Sequence, residues 1–166
     1  MQTAFLALRS VIYMTVFLLL FAGLALWARG FDRRLGVILP AAGALPGVVL
    51  AVAGALLVLA CAGVFIWRGR GTPALFDAPR AFVAVGPYRY ARNPMYLGGL
   101  LLLLGFGLWE RSLSILLFAA LLCPLTHLLV VFYEEPTLRK RFGASYREYL
   151  EKVPRWLPRP PHERLL

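Results

Sequence analysis

The stretch "NPMYLGGLLLLLGFGLWERSLSILLFAALLCPLTHLLVVFY", residues 93–133, decides the fold of this chain of 166 residues. It contains two apolar runs, Pro94 to Trp109 and Leu113 to Tyr133, separated by the polar tripeptide "ERS". Each run approaches the roughly 20 residues that an α-helix needs to cross the hydrocarbon core of a bilayer. Because three residues allow only a tight turn, the pattern predicts an antiparallel hairpin of two membrane-spanning helices.

Two more apolar runs lie upstream of this hairpin. The first, Val11 to Ala28, has the length of one span. The second, Val37 to Trp67, would be about 46 Å long as a single helix, which exceeds one straight crossing. Two prolines interrupt its first part, so we place the span at 47–67, after a kinked or interfacial segment.

The composition agrees with a membrane-embedded chain. Hydrophobic residues make up 60% of the sequence and charged residues only 16%, with a mean hydropathy of +0.72. We therefore expect an all-α integral membrane bundle of about four spans that forms a single domain over residues 1–166. The net charge of +10 lies mainly beside the spans, where it favours membrane lipids over nucleic acid as the partner.

Several chemistries find no support in the sequence. The two cysteines, Cys61 and Cys123, lie inside apolar runs and are expected to behave as small hydrophobic residues. With two histidines in all and no Cys/His pair at ligand spacing, no metal site is expected. Motifs for a dinucleotide-binding turn, a P-loop or a serine nucleophile are absent.

The distribution of Lys and Arg predicts the orientation. With four spans, both termini and the loop of residues 68–95 lie on one side, which carries fourteen of the eighteen Lys and Arg residues. The other side carries four, so the loop and the C-terminus are expected in the cytoplasm of an inner or plasma membrane. After Tyr133 the apolar residues recur at helical spacing among charges, which predicts an amphipathic cytoplasmic helix on the membrane surface.

The segment "RNPMY", residues 92–96, marks the start of the third span. Asn93 suits the N-cap and Pro94 the first helical position. The free N–H groups of such a helix end favour a carboxylate or phosphate, and Arg92 and Tyr96 flank it. The alternative is a capped span with interfacial Tyr and Arg anchors.

A second polar cluster is "HLLVVFYEEP", residues 127–136. His127 lies within the fourth span, where an ionisable side chain is a functional candidate, and Glu134 follows on the same predicted helical face. Adjacent carboxylates, Glu134 and Glu135, at a helix C-terminus favour a nearby cation. That cation is either a local Arg or Lys, such as Arg139, or a bound cationic ligand.

Taken together, "GPYRYARNPMYLG", the later histidine and "EEPTLRKRFGASYREYLEKVPRWLP" resemble the integral membrane methyltransferases. That superfamily includes isoprenylcysteine carboxyl methyltransferases and phospholipid N-methyltransferases. The resemblance covers about residues 86–158. It implies S-adenosylmethionine as cofactor, held at the cytoplasmic end of the bundle. The positions that it implies for cofactor binding are Tyr88, Arg92, Asn93, Pro94, Tyr96, Gly98, His127, Glu134 and Glu135.

The resemblance further implies a lipophilic or lipid methyl acceptor and no metal. It favours carboxyl O-methylation of a prenylcysteine because of the tail "FGASYREYLEKVP", whereas "NPMY" is closer to the phospholipid N-methyltransferases. Candidate catalytic residues are Arg92, Glu134, Lys152 and Arg155, of which the three basic ones would orient an anionic acceptor. An NADPH-dependent enzyme similar to sterol reductases and a non-catalytic membrane subunit remain as alternatives.

Overall fold

The computed structural model describes residues 2–69 and 83–160, and in these ranges the chain is helical without strands. The α-helices are α1 (Gln2–Arg29), α2 (Asp32–Leu35), α3 (Ala44–Val64), α4 (Pro94–Trp109), α5 (Leu113–Leu129) and α6 (Glu135–Lys152). A π-helical turn extends α3 over Phe65–Gly69, and another, Val130–Glu134, joins α5 to α6. Short 3-10 turns occupy Ala41–Gly43 and Gly86–Arg89.

The prediction of an all-helical membrane fold is confirmed. Three helical stretches of the described chain, within residues 8–35, 41–67 and 113–152, are long and apolar enough to cross a membrane, and α4 is a shorter apolar helix. The expected kink before the second span is the 3-10 turn Ala41–Gly43, after which α3 begins. The first helix starts earlier than the apolar run, at Gln2.

Helices α3 and α4 pack against each other through glycines. A methyl group placed on Gly54 would lie 2.5 Å from the carbonyl oxygen of Gly98, and Gly47 meets Gly105 in the same way farther along. Since Gly54 faces Gly98 while the earlier Gly47 faces the later Gly105, the two helices run antiparallel. Small residues let the two backbones approach closely, as is usual between helices in membranes.

The end of the bundle that carries the short turns is closed by polar contacts. Arg29 forms an ion pair of 2.7 Å with Glu110, and the Arg111 Nε donates to the Leu39 carbonyl oxygen at 2.7 Å. The Asp32 carboxylate accepts a hydrogen bond of 2.9 Å from the Ser114 amide in the first turn of α5. These contacts hold the turns of this end together, so the segments around Arg92 and Glu135 lie at the opposite end.

Helix α6 is bent in its middle. Gly143 has φ 55° and ψ −120°, a conformation that favours glycine, so the residues on either side form two half-helices. Three side chains of the second half and its end, Tyr146, Tyr149 and Val153, are buried in a cluster. Helix α6 therefore packs on the protein through one face, whereas its predicted place on the membrane surface stays a prediction.

Candidate functional site

Helix α4 begins where the sequence predicted, with Asn93 at the N-cap and Pro94 as the first helical residue. The Asn93 side chain makes no capping hydrogen bond. Its Nδ2 instead donates to the carbonyl oxygen of Arg155 at 3.1 Å, and the Asn93 residue is buried. The amide thus ties the start of α4 to the C-terminal part of the chain.

Residues 153–160, which we call the C-terminal strap, run across the segment that precedes α4. The Arg92 amide donates to the Pro154 carbonyl oxygen at 2.9 Å, and the Arg159 amide donates to the Tyr90 carbonyl oxygen at 3.0 Å. Three prolines in the strap prevent it from continuing α6 as a helix, which leaves its backbone groups available for these contacts. The strap joins the two polar clusters that are far apart in the sequence.

Glu135 lies at the centre of this end of the bundle and is surrounded by arginines. Its carboxylate accepts a hydrogen bond of 2.9 Å from Arg92 Nη1. It also accepts hydrogen bonds of 2.8 and 3.1 Å from Nε and Nη2 of Arg155, and the Arg139 guanidinium lies 3.8 Å away. The residue is only 4% exposed. Burial raises the pKa of Glu135, but the hydrogen bond from Arg155 and the charges of the arginines outweigh it, so the pKa lies below its usual value.

Glu134 has a different environment although it is the adjacent residue. It is half-buried and accepts a hydrogen bond from the hydroxyl of Tyr96, which lies in the first turn of α4. Within residues 8–67 and 83–160, Arg and Lys side chains form ion pairs with Glu135 but not with Glu134. The two alternatives for this carboxylate pair therefore separate within these residues: Glu135 pairs with local cations, whereas Glu134 has a tyrosine partner and no ion pair there.

The π turn Val130–Glu134 explains why Glu134 and His127 make different contacts. A π turn closes its hydrogen bonds over five residues instead of four, so a count of seven residues no longer aligns the two side chains as an α-helix would. Glu134 contacts Tyr96 on α4. The exposed His127 accepts, through Nδ1, a hydrogen bond of 3.0 Å from Trp156 Nε1 of the strap.

Two residues implied for cofactor binding are packed against other parts of the protein. The buried Tyr88 ring lies edge-on to Phe65 with 5.3 Å between the ring centroids, and its hydroxyl interacts with Cys61. The carbonyl oxygen of Tyr88 accepts a hydrogen bond of 2.6 Å from the Tyr149 hydroxyl. Gly98 is pressed against Gly54. Their structural roles are thus explained by packing, and a role toward the cofactor stays a prediction.

The basic residues expected to orient an acceptor also have partners. Arg92 and Arg155 bind Glu135, and Lys152 Nζ lies 2.5 Å from Glu148 on the next turn of α6. Arg92 and Lys152 nevertheless line a groove of about 340 Å³ together with Arg159 of the strap. In the described part of the chain, the buried Arg92 Nε has no hydrogen-bond partner, so this guanidinium keeps donor capacity.

Sequence reasoning overlooked Trp156 and Tyr149. Trp156 has no role in the prediction from sequence, but it reaches His127 on α5. Tyr149 has none either, yet its hydroxyl donates to the Tyr88 carbonyl oxygen and so fixes the backbone before α4. An aromatic residue between prolines at the end of a polar helix was the available signal, because Trp N–H and Tyr O–H groups usually find a partner when they are packed.

The two cysteines are free and differ in exposure, since Cys61 is buried whereas Cys123 is exposed on the outer surface of α5. Over the residues that the structure describes, His, Cys, Asp and Glu side chains form no group of three or more that could hold a metal ion. The chemistry of this end of the bundle is therefore carried by carboxylates, guanidinium groups and tyrosine hydroxyls.

Comparison with known proteins gives a match over most of the membrane region. The family model described as phospholipid methyltransferase matches residues 43–145. The cobalt-zinc-cadmium resistance protein CzcN of Cupriavidus metallidurans is 33% identical over 108 residues, which cover 63% of this chain and 50% of that protein. The chain thus spans about half the length of this curated relative. No solved structure matches the chain.

Proposed function

The chain belongs to the phospholipid methyltransferase family of membrane methyltransferases, and on that premise we propose that it transfers a methyl group from S-adenosylmethionine to a lipophilic acceptor. The matched region, residues 43–145, includes α3, α4, α5 and the Glu134–Glu135 pair. We place the reaction at the end of the bundle where Arg92, Tyr96 and Glu134 meet, facing the cytoplasm in accord with the excess of basic residues on that side.

The observation that carries this proposal is that Glu134, unlike Glu135, forms no ion pair with an Arg or Lys side chain of residues 8–67 and 83–160. A half-buried carboxylate with a tyrosine as its described partner suits a ligand that brings its own positive charge. S-adenosylmethionine has two such groups, an ammonium and a sulfonium. Its carboxylate has a matching donor in the buried Arg92 Nε, which has no hydrogen-bond partner in the described part of the chain. The residues at this end therefore fit the cofactor.

When bound, S-adenosylmethionine would supply a methyl group on a positively charged sulfur. Glu134 and Tyr96 would hold the cationic part, and Arg92 the anionic part. Glu135 acts as a positioning residue, because its ion pairs fix Arg92 and draw the strap over the start of α4. The strap over the start of α4 would hold the reacting groups in a fixed orientation, and methyl transfer assisted by such positioning needs no metal.

For the acceptor, we propose first the carboxyl group of a prenylcysteine-like amphiphile. The groove beside Arg92, Lys152 and Arg159 is basic and suits an anionic headgroup. The second candidate is the amine of an aminophospholipid. The unpaired Glu134 carboxylate favours it, since an amine headgroup is cationic before methylation, and its phosphate would suit the same basic groove.

The test is methyl transfer by the purified protein in lipid nanodiscs. Radiolabelled S-adenosylmethionine is incubated with a prenylcysteine, a fatty acid, a quinol and an aminophospholipid, and the label in each lipid is counted. We expect label in one of these lipids, with the prenylcysteine first. Label only in small water-soluble acceptors would contradict the proposal.

A second measurement separates this function from the two alternatives. Thermal stability is followed with S-adenosylhomocysteine, with NADPH and without ligand. Stabilisation by S-adenosylhomocysteine alone is expected, because a ligand that binds only the folded state raises its stability. Stabilisation by NADPH instead would indicate a reductase, and no response to either ligand together with no methyl transfer would indicate a non-catalytic subunit.

A further inference from the structure

An apolar groove lies on the side of the bundle between α4 and α5, beneath the C-terminal strap. Its volume is about 540 Å³, which lies within the range of small-molecule pockets of about 300–1,000 Å³. The lining residues are Leu97, Leu100, Cys123, Pro124, His127, Leu128 and Trp156. Apart from His127 and the indole N–H that it binds, the walls offer only apolar groups and a thiol.

The groove opens toward the bilayer at its outer wall. Leu128 is 49% exposed and Cys123 is also exposed, and both lie on the membrane-spanning part of α5. A protein surface of this kind in a membrane is covered by hydrocarbon chains rather than water. Its occupant is therefore an apolar chain that enters sideways.

The end of the groove at His127 and Trp156 lies at the same end of the bundle as the proposed reaction site. Trp156 belongs to the strap, whose Arg155 binds Glu135. A chain that lies in the groove therefore has one end beside the strap that also contacts the segment before α4. The hydrogen bond between Trp156 and His127 fixes the indole as the wall between the groove and the strap.

We propose that this groove holds the apolar chain of the methyl acceptor and that Trp156, held by His127, is the specificity-determining wall that positions it. This inference rests on the proposed function, because it assigns the tail of the same acceptor. It also moves His127 from the cofactor side to the acceptor side, since the imidazole accepts a hydrogen bond from Trp156 of the groove wall.

A matched pair of substitutions on α5 tests the groove. Leu128 and Leu125 are almost equally exposed, at 49% and 50%, but only Leu128 lines the groove. Leu128→Trp should fill the groove without straining the core, and Leu125→Trp adds the same bulk outside it. Both variants are compared in nanodiscs with a 16-carbon alkyl phosphocholine that carries a diazirine at the chain end.

In the wild-type protein, we expect photolabelling at residues 97–100 of α4 to exceed labelling at the lipid-facing residues 18–20 of α1. Leu128→Trp should lower the labelling at 97–100, and Leu125→Trp should leave it unchanged. Equal labelling of the two segments, or equal effects of the two variants, would overturn the groove as a chain-binding site.

The kinetic arm uses two acceptors with the same headgroup and chains of 6 and 16 carbons. Leu128→Trp should raise KM for the long acceptor by about tenfold or more, the loss expected when about two methylenes can no longer be buried. It should leave kcat and KM for the short acceptor near those of wild type. Trp156→Ala should reduce the difference in KM between the long and the short acceptor. Trp156→Phe keeps a ring but loses the N–H, so its difference in KM should lie between those of wild type and Trp156→Ala.

Failure of the inference and failure of the proposed function give different results. If no lipid is methylated, the function is wrong, and photolabelling still decides whether the groove holds a chain. If lipids are methylated but Leu128→Trp and Leu125→Trp have the same KM values, the inference alone is overturned. Photolabelling that depends on Leu128 without any change in KM would show that the groove holds a bilayer lipid and not the acceptor, which also overturns it.

Discussion

The Tyr96 hydroxyl donates a hydrogen bond to the carboxylate of Glu134, and this bond joins the first turn of α4 to the end of the π turn after α5. The neighbouring Glu135 instead accepts hydrogen bonds from Arg92 and Arg155. Two adjacent carboxylates of one chain thus have different partners, a tyrosine hydroxyl in one case and arginines in the other.

Glu134→Gln should weaken the binding of S-adenosylmethionine by about 1–3 kcal/mol, because a charge-assisted hydrogen bond is replaced by a neutral one. Isothermal titration with S-adenosylhomocysteine, which lacks the sulfonium charge, and with S-adenosylmethionine separates the charge effect from general packing. Tyr96→Phe should have a smaller effect, since it removes the hydroxyl that orients the carboxylate but leaves the charge.

Glu148→Gln serves as the matched control for this prediction. Glu148 is an exposed carboxylate on α6 that pairs with Lys152, so its replacement should leave cofactor affinity unchanged. Wild-type affinity in Glu134→Gln would show that this carboxylate has only a structural contact with Tyr96.

Much of the fold was predictable because the local hydrophobicity of the sequence identifies membrane-spanning helices. The hairpin of α4 and α5 and the start of α4 at Pro94 follow from run length and proline placement, and the structure confirms both. The π turn was not predictable, since no residue type marks it. Because of this turn, the side chains of Glu134 and His127 do not share one helical face, and they contact Tyr96 and Trp156, respectively.

For the cation beside the carboxylate pair, the sequence left two alternatives open, a local Arg or Lys side chain and a bound ligand. Sequence reasoning identified a need for a cation beside the carboxylate pair, but it could not say which carboxylate would be satisfied by protein. Arg155 was assigned to the acceptor because the strap has no periodic pattern from which its path over α4 could be derived. Long-range backbone contacts, such as the Arg92 amide with Pro154, decide that path.

The strap should be released at acidic pH. The hydrogen bond from Arg155 and the arginine charges hold the pKa of Glu135 in the folded protein below its usual value despite burial. Its ion pairs therefore stabilise the strap above the usual pKa of a glutamate and are lost as the pH falls through the folded-state pKa. Reactivity of a cysteine at Val153, which is only 1% exposed in the folded strap, reports strap release in a protein without Cys61 and Cys123. We expect it to stay constant between neutral pH and about pH 5 after correction for thiol ionisation, and to rise below that range.

Glu135→Gln provides the control for the acid response. Without the charge, the strap should be looser at neutral pH and should lose its dependence on acid. Arg155→Gln should loosen it at least as much, because Arg155 is the strap residue that pairs with Glu135. An unchanged acid response in Glu135→Gln would contradict the role of this carboxylate in holding the strap.

The strap and the segment before α4 are predicted to face the cytoplasm. Single cysteines are placed at Leu157 on the strap and at Ile38 between α2 and α3, both of which are 78% exposed, after replacement of Cys61 and Cys123. A membrane-impermeant thiol reagent added to intact cells should label position 38 and not position 157. The reverse pattern would invert the topology, and labelling of both would contradict the four-span arrangement.

The close approach of α3 and α4 predicts different effects on stability for substitutions of two adjacent glycines of α4. Gly98 is pressed against Gly54, and a methyl group on it would lie 2.9 Å from the Gly54 carbonyl oxygen. Gly98→Ala should therefore destabilise the protein by about 1–3 kcal/mol, the usual cost of overpacking. Gly99→Ala is the control, since an added methyl group meets no atom within 4 Å there and alanine favours a helix.

Thermal unfolding in detergent, followed by circular dichroism, measures the difference between these two variants. A lower Tm for Gly98→Ala with an equal or higher Tm for Gly99→Ala is expected. Cofactor affinity measured below both melting temperatures then tests the further role implied for Gly98. If Gly98→Ala folds stably at the assay temperature but binds S-adenosylmethionine as tightly as Gly99→Ala, then Gly98 serves the packing of α3 on α4 and the cofactor does not depend on it.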